Sequence, residues 1–260
     1  MEIYCALDIS HTLIDAHSVP ILQRDLWLAY DDRLAVESPP LYCDYMAYLG
    51  CSSESSAEMH WRTYMNGVQP CLLPTRDTDG SGAQQTKELR SASISLGVGA
   101  RLQEFCQRQE ITLSNLLQVA WGLVLQIYTG SDASCFGYLN SGRDVPVAGV
   151  DSILGPFINM LVCRVETDAS ASVLSMLQKN QAEYLRSAPH QHYSLAEILH
   201  QVNTGGKMLF NTIMSLQRPR TSLNASETEG QCSITLETVG GEDPTEVSSC
   251  STDTLCRVSN

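Results

Sequence analysis

The chain has 260 residues, 43% of them hydrophobic, with ten cysteines and a formal net charge of −13. That length and apolar content can build one large domain or two lobes around a proper core. The acidity argues against nucleic acid and an anionic membrane surface as partners, no apolar run approaches the roughly 18 residues of a membrane span, and Met1–Asp8 lacks the basic start of a signal peptide.

The first predicted element is a strand, because Ile3, Cys5, Leu7 and Ile9 alternate with Tyr4, Ala6 and Asp8. His11 stands at its end, with Asp15 four positions on. Ser18 reads as a helix N-cap. After it Val19, Leu22, Leu26 and Trp27 recur at helical spacing, which predicts a helix over about 18–31 with Pro20 tolerated in its first turn. A strand end that breaks into a helix start holds a side chain rigidly while it faces a cleft. His11 is therefore a candidate base, and Asp15 a candidate for fixing the loop that carries it. The bland alternative is a turn histidine followed by an Asx-type turn residue, and the pair alone does not choose between them.

Residues 1–74 form a first region ending in Leu72-Leu73-Pro74, and 75–86 (TRDTDGSGAQQT) read as a surface linker. From 87 onward, helical and extended patterns alternate. Leu102, Phe105 and Cys106 mark an amphipathic helix. Thr112 then caps a strongly apolar helix through Leu116, Leu117, Ala120, Trp121, Val124 and Ile127, expected to be buried on most sides. Strands are predicted at about 134–139, 157–165, 208–216 and 232–239, and helices at about 171–187 and 194–203. The order of elements gives an α/β chain with its sheet topology open. Cys5, Cys106, Cys135 and Cys163 sit in periodic segments as small buried residues, and no CxxC pair occurs. Free thiols in a reducing, cytoplasmic compartment are expected, without a zinc site. His190 and His192 have no cysteine or carboxylate at ligand spacing and read as helix-entry or inter-lobe contacts; Trp27, Trp61 and Trp121 read as core or lobe-packing residues.

Four further segments follow His11–Asp15 in order: Tyr42-Cys43-Asp44-Tyr45, Phe136-Gly137-Tyr138-Leu139-Asn140-Ser141-Gly142-Arg143-Asp144, Leu154-Gly155-Pro156-Phe157-Ile158-Asn159-Met160, and His190-Gln191-His192-Tyr193-Ser194-Leu195. Together they resemble the condensation domains of non-ribosomal peptide synthetases, the fungal members most closely, over residues 1 to about 246. The resemblance implies an α/β (α+β two-layer) fold like that of the chloramphenicol acetyltransferase superfamily. In that fold two lobes flank a tunnel reached by carrier-tethered substrates from each face. His11 would correspond to the second histidine of the family's HHxxxDG motif; Ser10 replaces the first, and Ala16 replaces the glycine. The implied chemistry is amide formation by aminolysis of a thioester, for which a neutral imidazole accepts the amine proton or positions the amine. Asp15 would pair with Arg143 and brace the loop, the alternative being a solvated Arg143 at a turn. Ser18, Gly155, Phe157 and Asn159 would line the tunnel and pantetheine path; the alternative for Gly155-Pro156-Phe157 and Asn159 is a buried strand following a turn.

By the same resemblance no cofactor is bound directly. The phosphopantetheine arms of carrier domains are substrates, and carrier and adenylation domains of a synthetase are the partners, with no nucleic acid and no membrane. The expected division is a remnant of the N-terminal lobe at 1–74, a linker at 75–86, the C-terminal lobe at 87–246, and an aberrant, disordered tail at 247–260. On this reading the chain is an incomplete fragment, truncated at both ends and inactive when isolated. Two other functions stay open: an inert remnant or carrier-docking module, and an acyl-coenzyme A-dependent acyltransferase of the same superfamily, although the DFGWG motif of the plant-type enzymes is missing.

Overall fold

Hydroxyl side chains set many of the element boundaries. Ser53, Thr112, Ser172 and Ser194 each accept a hydrogen bond from the backbone N–H three residues on, which fixes four helix starts. At Ser194 the Glu197 side chain returns the favour, completing a capping box. The computed structural model describes residues 3–4, 7, 9–35, 38–51, 53–74, 97–168, 170–202, 208–216, 233–237 and 255–259. In chain order the elements are β1 (Ile3–Tyr4), α1 (Ser18–Tyr30), α2 (Tyr42–Cys51), α3 (Glu54–Tyr64), α4 (Gly99–Arg108), α5 (Leu113–Thr129), β2 (Ala133–Asn140), β3 (Asn159–Glu166), α6 (Val173–Ser187), α7 (Leu195–His200), β4 (Ile213–Met214), β5 (Ser233–Glu237) and β6 (Leu255–Ser259). The chain is α/β.

Packing groups it into two units built from interleaved segments: residues 1–52, 141–158 and 218–260, and residues 53–140 and 159–217. In the first unit the strands run in the order β1-β6-β5, both pairs antiparallel. β6 lies in the tail for which no strand was expected. Its backbone has ladder partners on both sides, Ile3 and Tyr4 on one and Ser233–Glu237 on the other. The expected first strand is also shorter than predicted, because Leu7 and Ile9 lie outside β1 and Leu7 is exposed. A small core of Tyr45, Val150, Ile153 and Phe157 packs with Tyr42, Tyr48 and Leu49 of α2.

The second unit carries a sheet in the order β3-β2-β4. β2 and β3 pair antiparallel from Ala133↔Glu166 to Asn140↔Asn159, and β4 joins β2 in parallel. Its core joins Trp61 of α3, Leu125 of α5, Phe136 of β2, Leu161 of β3 and Ile198 of α7, all essentially without solvent exposure. Burying each such side chain is worth about 1.5–3 kcal/mol. α3, which the sequence reading left without an element, presents Ala57 and Trp61 to this core, and Met65 and Val68 follow at continuing three- to four-residue spacing.

α5 departs from expectation in its faces. Asn115, Gln118 and Gln126 are buried, whereas Ile127 is 80% exposed and Tyr128 65%. Hydrogen bonding explains the inversion. Asn180 Nδ2 of α6 donates to Asn115 Oδ1 at 2.6 Å and to Gln118 Oε1 at 3.0 Å, and Gln126 Nε2 donates to Val165 O at 2.9 Å. A buried amide with its partners in place is retained where an unpaired one would be expelled. Among the described residues no single helix is long and apolar enough to cross a membrane.

Candidate active site

The local chain from Ser10 to Ser18 is a pair of turns rather than a strand end. Leu13 N–H donates to Ser10 O at 2.9 Å, and His11 projects from this turn exposed to solvent. Two residues after Leu13 the chain becomes buried at Asp15, which stands just before the start of α1. Ser18 is the first helical residue rather than the cap. The cap position belongs to His17, whose side chain makes no capping bond. The Asp15 carboxylate does that work instead: its Oδ1 accepts from Ser18 N–H at 2.8 Å, a negative charge against the positive end of the helix.

Around this carboxylate the first unit builds a closed polar node. Arg143 Nη2 lies 3.2 Å from Asp15 Oδ1 and 3.4 Å from Oδ2. The two side chains retain only 4% and 2% of their surface. Nη1 of the same guanidinium donates to Val150 O at 2.7 Å and Ile153 O at 3.0 Å, and its carbon sits 4.0 Å above the centre of the Phe157 ring. Phe157 N–H donates to Asp15 Oδ2 at 3.2 Å. Ser18 Oγ accepts from Gly155 N–H at 3.0 Å and has two acceptors within reach of its one proton, Asp15 Oδ1 at 2.8 Å and Gly155 O at 3.0 Å. Backbone freedom matters at Gly142. It has φ of +67°, and a Cβ there would lie 2.0 Å from Phe157 O.

The structure thus brings together Asp15, Ser18, Arg143, Gly155 and Phe157, and places His11 on the turn just before them. Ser18 is fully buried, and Gly155 and Phe157 are buried with it, so these three brace the node. Asn159 belongs to the other unit. There its Nδ2 donates to Gln191 O at 2.7 Å and Tyr193 O at 3.1 Å, tying the start of β3 to the segment before α7. His190 is a packing contact: its ring stacks on His60 at 4.6 Å and its carbonyl accepts from Trp61 Nε1 at 3.0 Å. Among the described residues no group of three or more histidine, cysteine, aspartate or glutamate side chains could hold a metal ion. The thiols of Cys71, Cys106, Cys135 and Cys163 are buried, and those of Cys43 and Cys51 exposed; Cys5 lies outside the described residues. Sequence reasoning gave no role to Tyr42 and Tyr45 of α2, which form the aromatic side of the node with Phe157. Burial pushes the Tyr45 hydroxyl up to about 12.

A separate cleft of about 530 Å³ in the second unit contains none of the predicted site residues. The charged heads along it are paired among themselves, Glu166 with Arg164 and Lys179, and Glu183 with Arg186.

Comparison with known proteins gives this node its setting. The family model described as "Condensation domain" matches residues 1–243. The chain is 43% identical over 242 residues to the nonribosomal peptide synthetase ungA' of Aspergillus campestris, covering 93% of the chain and 2% of that protein. It is 44% identical over 215 residues to D-lysergyl-peptide-synthetase subunit 1 of Epichloe festucae var. lolii, covering 81% of the chain and 6% of that protein. The chain therefore spans a small part of the curated relatives it matches. Among solved structures, the first condensation domain of the CDA synthetase superposes with a TM-score of 0.60 at 14% identity, covering 81% of this chain and 48% of that one. The structure described as holo T3CT superposes with a TM-score of 0.59 at 22% identity, covering 80% and 45%. These two carry the fold alone. With the family model matching nearly the whole chain, and the fungal relatives agreeing with it, the chain belongs to the condensation-domain family of nonribosomal peptide synthetases.

Proposed function

We propose that this chain serves amide-bond formation between two carrier-tethered substrates, with His11 at the reacting centre. The amine of the acceptor attacks the thioester carbonyl of the donor. The C–N bond forms, the C–S bond breaks, and the amine proton passes by way of His11 Nε2 or Nδ1 to the departing pantetheine thiolate. No cofactor takes part; the phosphopantetheine arms enter as parts of the substrates. Carrier and adenylation domains of a synthetase are the partners, as the multidomain relatives suggest, and the free thiols fit a reducing, cytoplasmic setting.

The observation that carries the reading is the Asp15–Arg143 node immediately after the His11 turn. A catalytic loop must hold its geometry closely to gain from proximity, and a carboxylate fixed by a guanidinium, two backbone N–H groups and a hydroxyl is a rigid anchor two residues beyond that turn. Asp15 and Arg143 are on this reading positioning residues and touch no substrate.

The test uses a synthetase module containing this sequence, its donor and acceptor loaded on their carrier domains, with the amide product followed by mass spectrometry. Wild type is expected to form product, and His11→Ala to lose on the order of 10²–10⁴ in rate. Product from acyl-coenzyme A without carriers would replace this reading with that of a free acyltransferase. Carrier binding without turnover, equal in wild type and His11→Ala, would replace it with a docking module.

A further inference from the structure

The turn Gly155-Pro156-Phe157 is held at every residue. Gly155 N–H and Phe157 N–H are fastened to Ser18 Oγ and Asp15 Oδ2, as described above. Between them, Pro156 O accepts from the Tyr42 hydroxyl at 2.9 Å. The Tyr42 ring also lies across Gly155 so closely that a Cβ there would fall 2.1 Å from Tyr42 Cδ2 and 2.5 Å from Cε2. Gly155 has no left-handed backbone to accommodate, so it is the space taken by this ring that requires a glycine. The same ring meets Phe157 edge-on at 5.2 Å between centroids, and Phe157 carries the Arg143 guanidinium on its face. Tyr42 opens α2, so this single side chain joins the second helix to the turn that supports the Asp15–Arg143 pair. Burial, and then the negative charge of Asp15, raise the Tyr42 hydroxyl above its ordinary value against the opposing pull of Arg143, which keeps the proton available for Pro156 O.

We infer that Tyr42 is a positioning residue for condensation, its ring clamping Gly155 and its hydroxyl fixing Pro156 so that the 155–157 turn holds Asp15, and through it the His11 turn, in register. The inference rests on the proposed function for its kinetic consequence, but not for the coupling between Tyr42 and Gly155.

Two sets of variants test it in the synthetase module. Tyr42→Phe keeps the ring and removes only the bond to Pro156 O. It is expected to lower the turnover rate roughly fivefold, the worth of one neutral hydrogen bond, with KM for both carriers unchanged. Gly155→Ala is expected to lower it at least about tenfold beside the intact ring, and to have no further effect in a Tyr42→Ala background where the ring is gone. The same cycle read by unfolding midpoint gives a coupling that does not depend on any activity, and covers the case in which Gly155→Ala weakens folding. Equal losses from Gly155→Ala with and without the ring, in both readouts, would overturn the clamp. Coupling in unfolding alone, with the Tyr42→Phe turnover rate at the wild-type level, would overturn the positioning role. If wild type itself makes no amide, the proposed function fails, while the unfolding cycle still judges the clamp.

Discussion

Replacing Arg143 by Met keeps a side chain of similar length and removes the guanidinium from the centre of the node. Three consequences can be read from the contacts. The Asp15 carboxylate loses its only described counter-charge while remaining 98% buried. Val150 O and Ile153 O lose their common donor. Against this, Asp15 keeps the Ser18 N–H, the Ser18 hydroxyl and the Phe157 N–H. Stranding one partner of a buried pair costs about 3–5 kcal/mol, and the loss at Ile153 O adds to that, while Val150 O keeps the Ile153 N–H and the three donors surviving at Asp15 reduce it. A net loss of about 4 kcal/mol is expected, measured by urea unfolding of the chain. Locally, hydrogen exchange over residues 15–30 and 141–158 should accelerate by about 10³, the same free energy read as an opening constant. Asp15→Asn should cost a similar amount, and Asp15→Asn/Arg143→Met clearly less than the sum, by about 2 kcal/mol or more. Losses under about 1 kcal/mol, or strictly additive ones, would refute the reasoning, because they would mean the pair is solvated rather than sealed.

Other consequences follow from single contacts. Gly142→Ala should destabilise the chain by more than about 2 kcal/mol, since it forces a methyl group against Phe157 O from a left-handed backbone; thermal melting checks this. Stability should fall as the pH drops from about 6.5 to about 4. Burial, then the neighbouring His190 and Arg186, lower the His60 imidazole to about 4, so over that interval the unfolded chain takes up a proton that the folded one refuses. His60 is only half-buried, so solvent screening leaves a loss on the order of 1 kcal/mol. His60→Gln should flatten the profile, and an unchanged slope would assign the effect elsewhere. Among the cysteines with described side chains, Cys43 and Cys51 should be alkylated quickly at neutral pH. Cys135, pushed up to about 12 by burial, and Cys163, raised by burial, should react only on unfolding, which peptide mapping by mass spectrometry would show.

Much of the secondary structure was legible because its signals are local. Thr112, the apolar run after it and the short apolar stretches of β2 and β3 needed no tertiary information. α2 was not legible in this way: Tyr42-Cys43-Asp44-Tyr45-Met46 shows no clear helical period, and it is Tyr45 packing on Phe157, over a hundred residues away in sequence, that orders it. α3 carried a usable signal in Ser53 and in the Ala57, Trp61, Met65, Val68 spacing, hidden by its many polar residues. The faces of α5 were misread because hydrophobicity alone cannot anticipate that Asn115, Gln118 and Asn180 will satisfy one another across two helices. At the site, the type and spacing of His11 and Asp15 marked the segment, but the partner for Asp15 came from the family resemblance. Nothing in the sequence announces that Ser18 is a buried link, that two carbonyls absorb the other half of the guanidinium, or that a tyrosine ring makes Gly155 necessary. The Ser18 and Tyr42 contacts cross 110–140 residues of chain, the two carbonyls lie seven and ten residues beyond Arg143, and only the fold creates them.

The most direct test of the central claim is a rapid-quench single-turnover measurement of amide formation in the synthetase module, comparing wild type with His11→Ala while carrier affinity is measured alongside. The account requires the His11→Ala rate to fall on the order of 10²–10⁴ with carrier affinity unchanged. A rate equal to wild type, or a loss fully explained by weaker carrier binding, would contradict it.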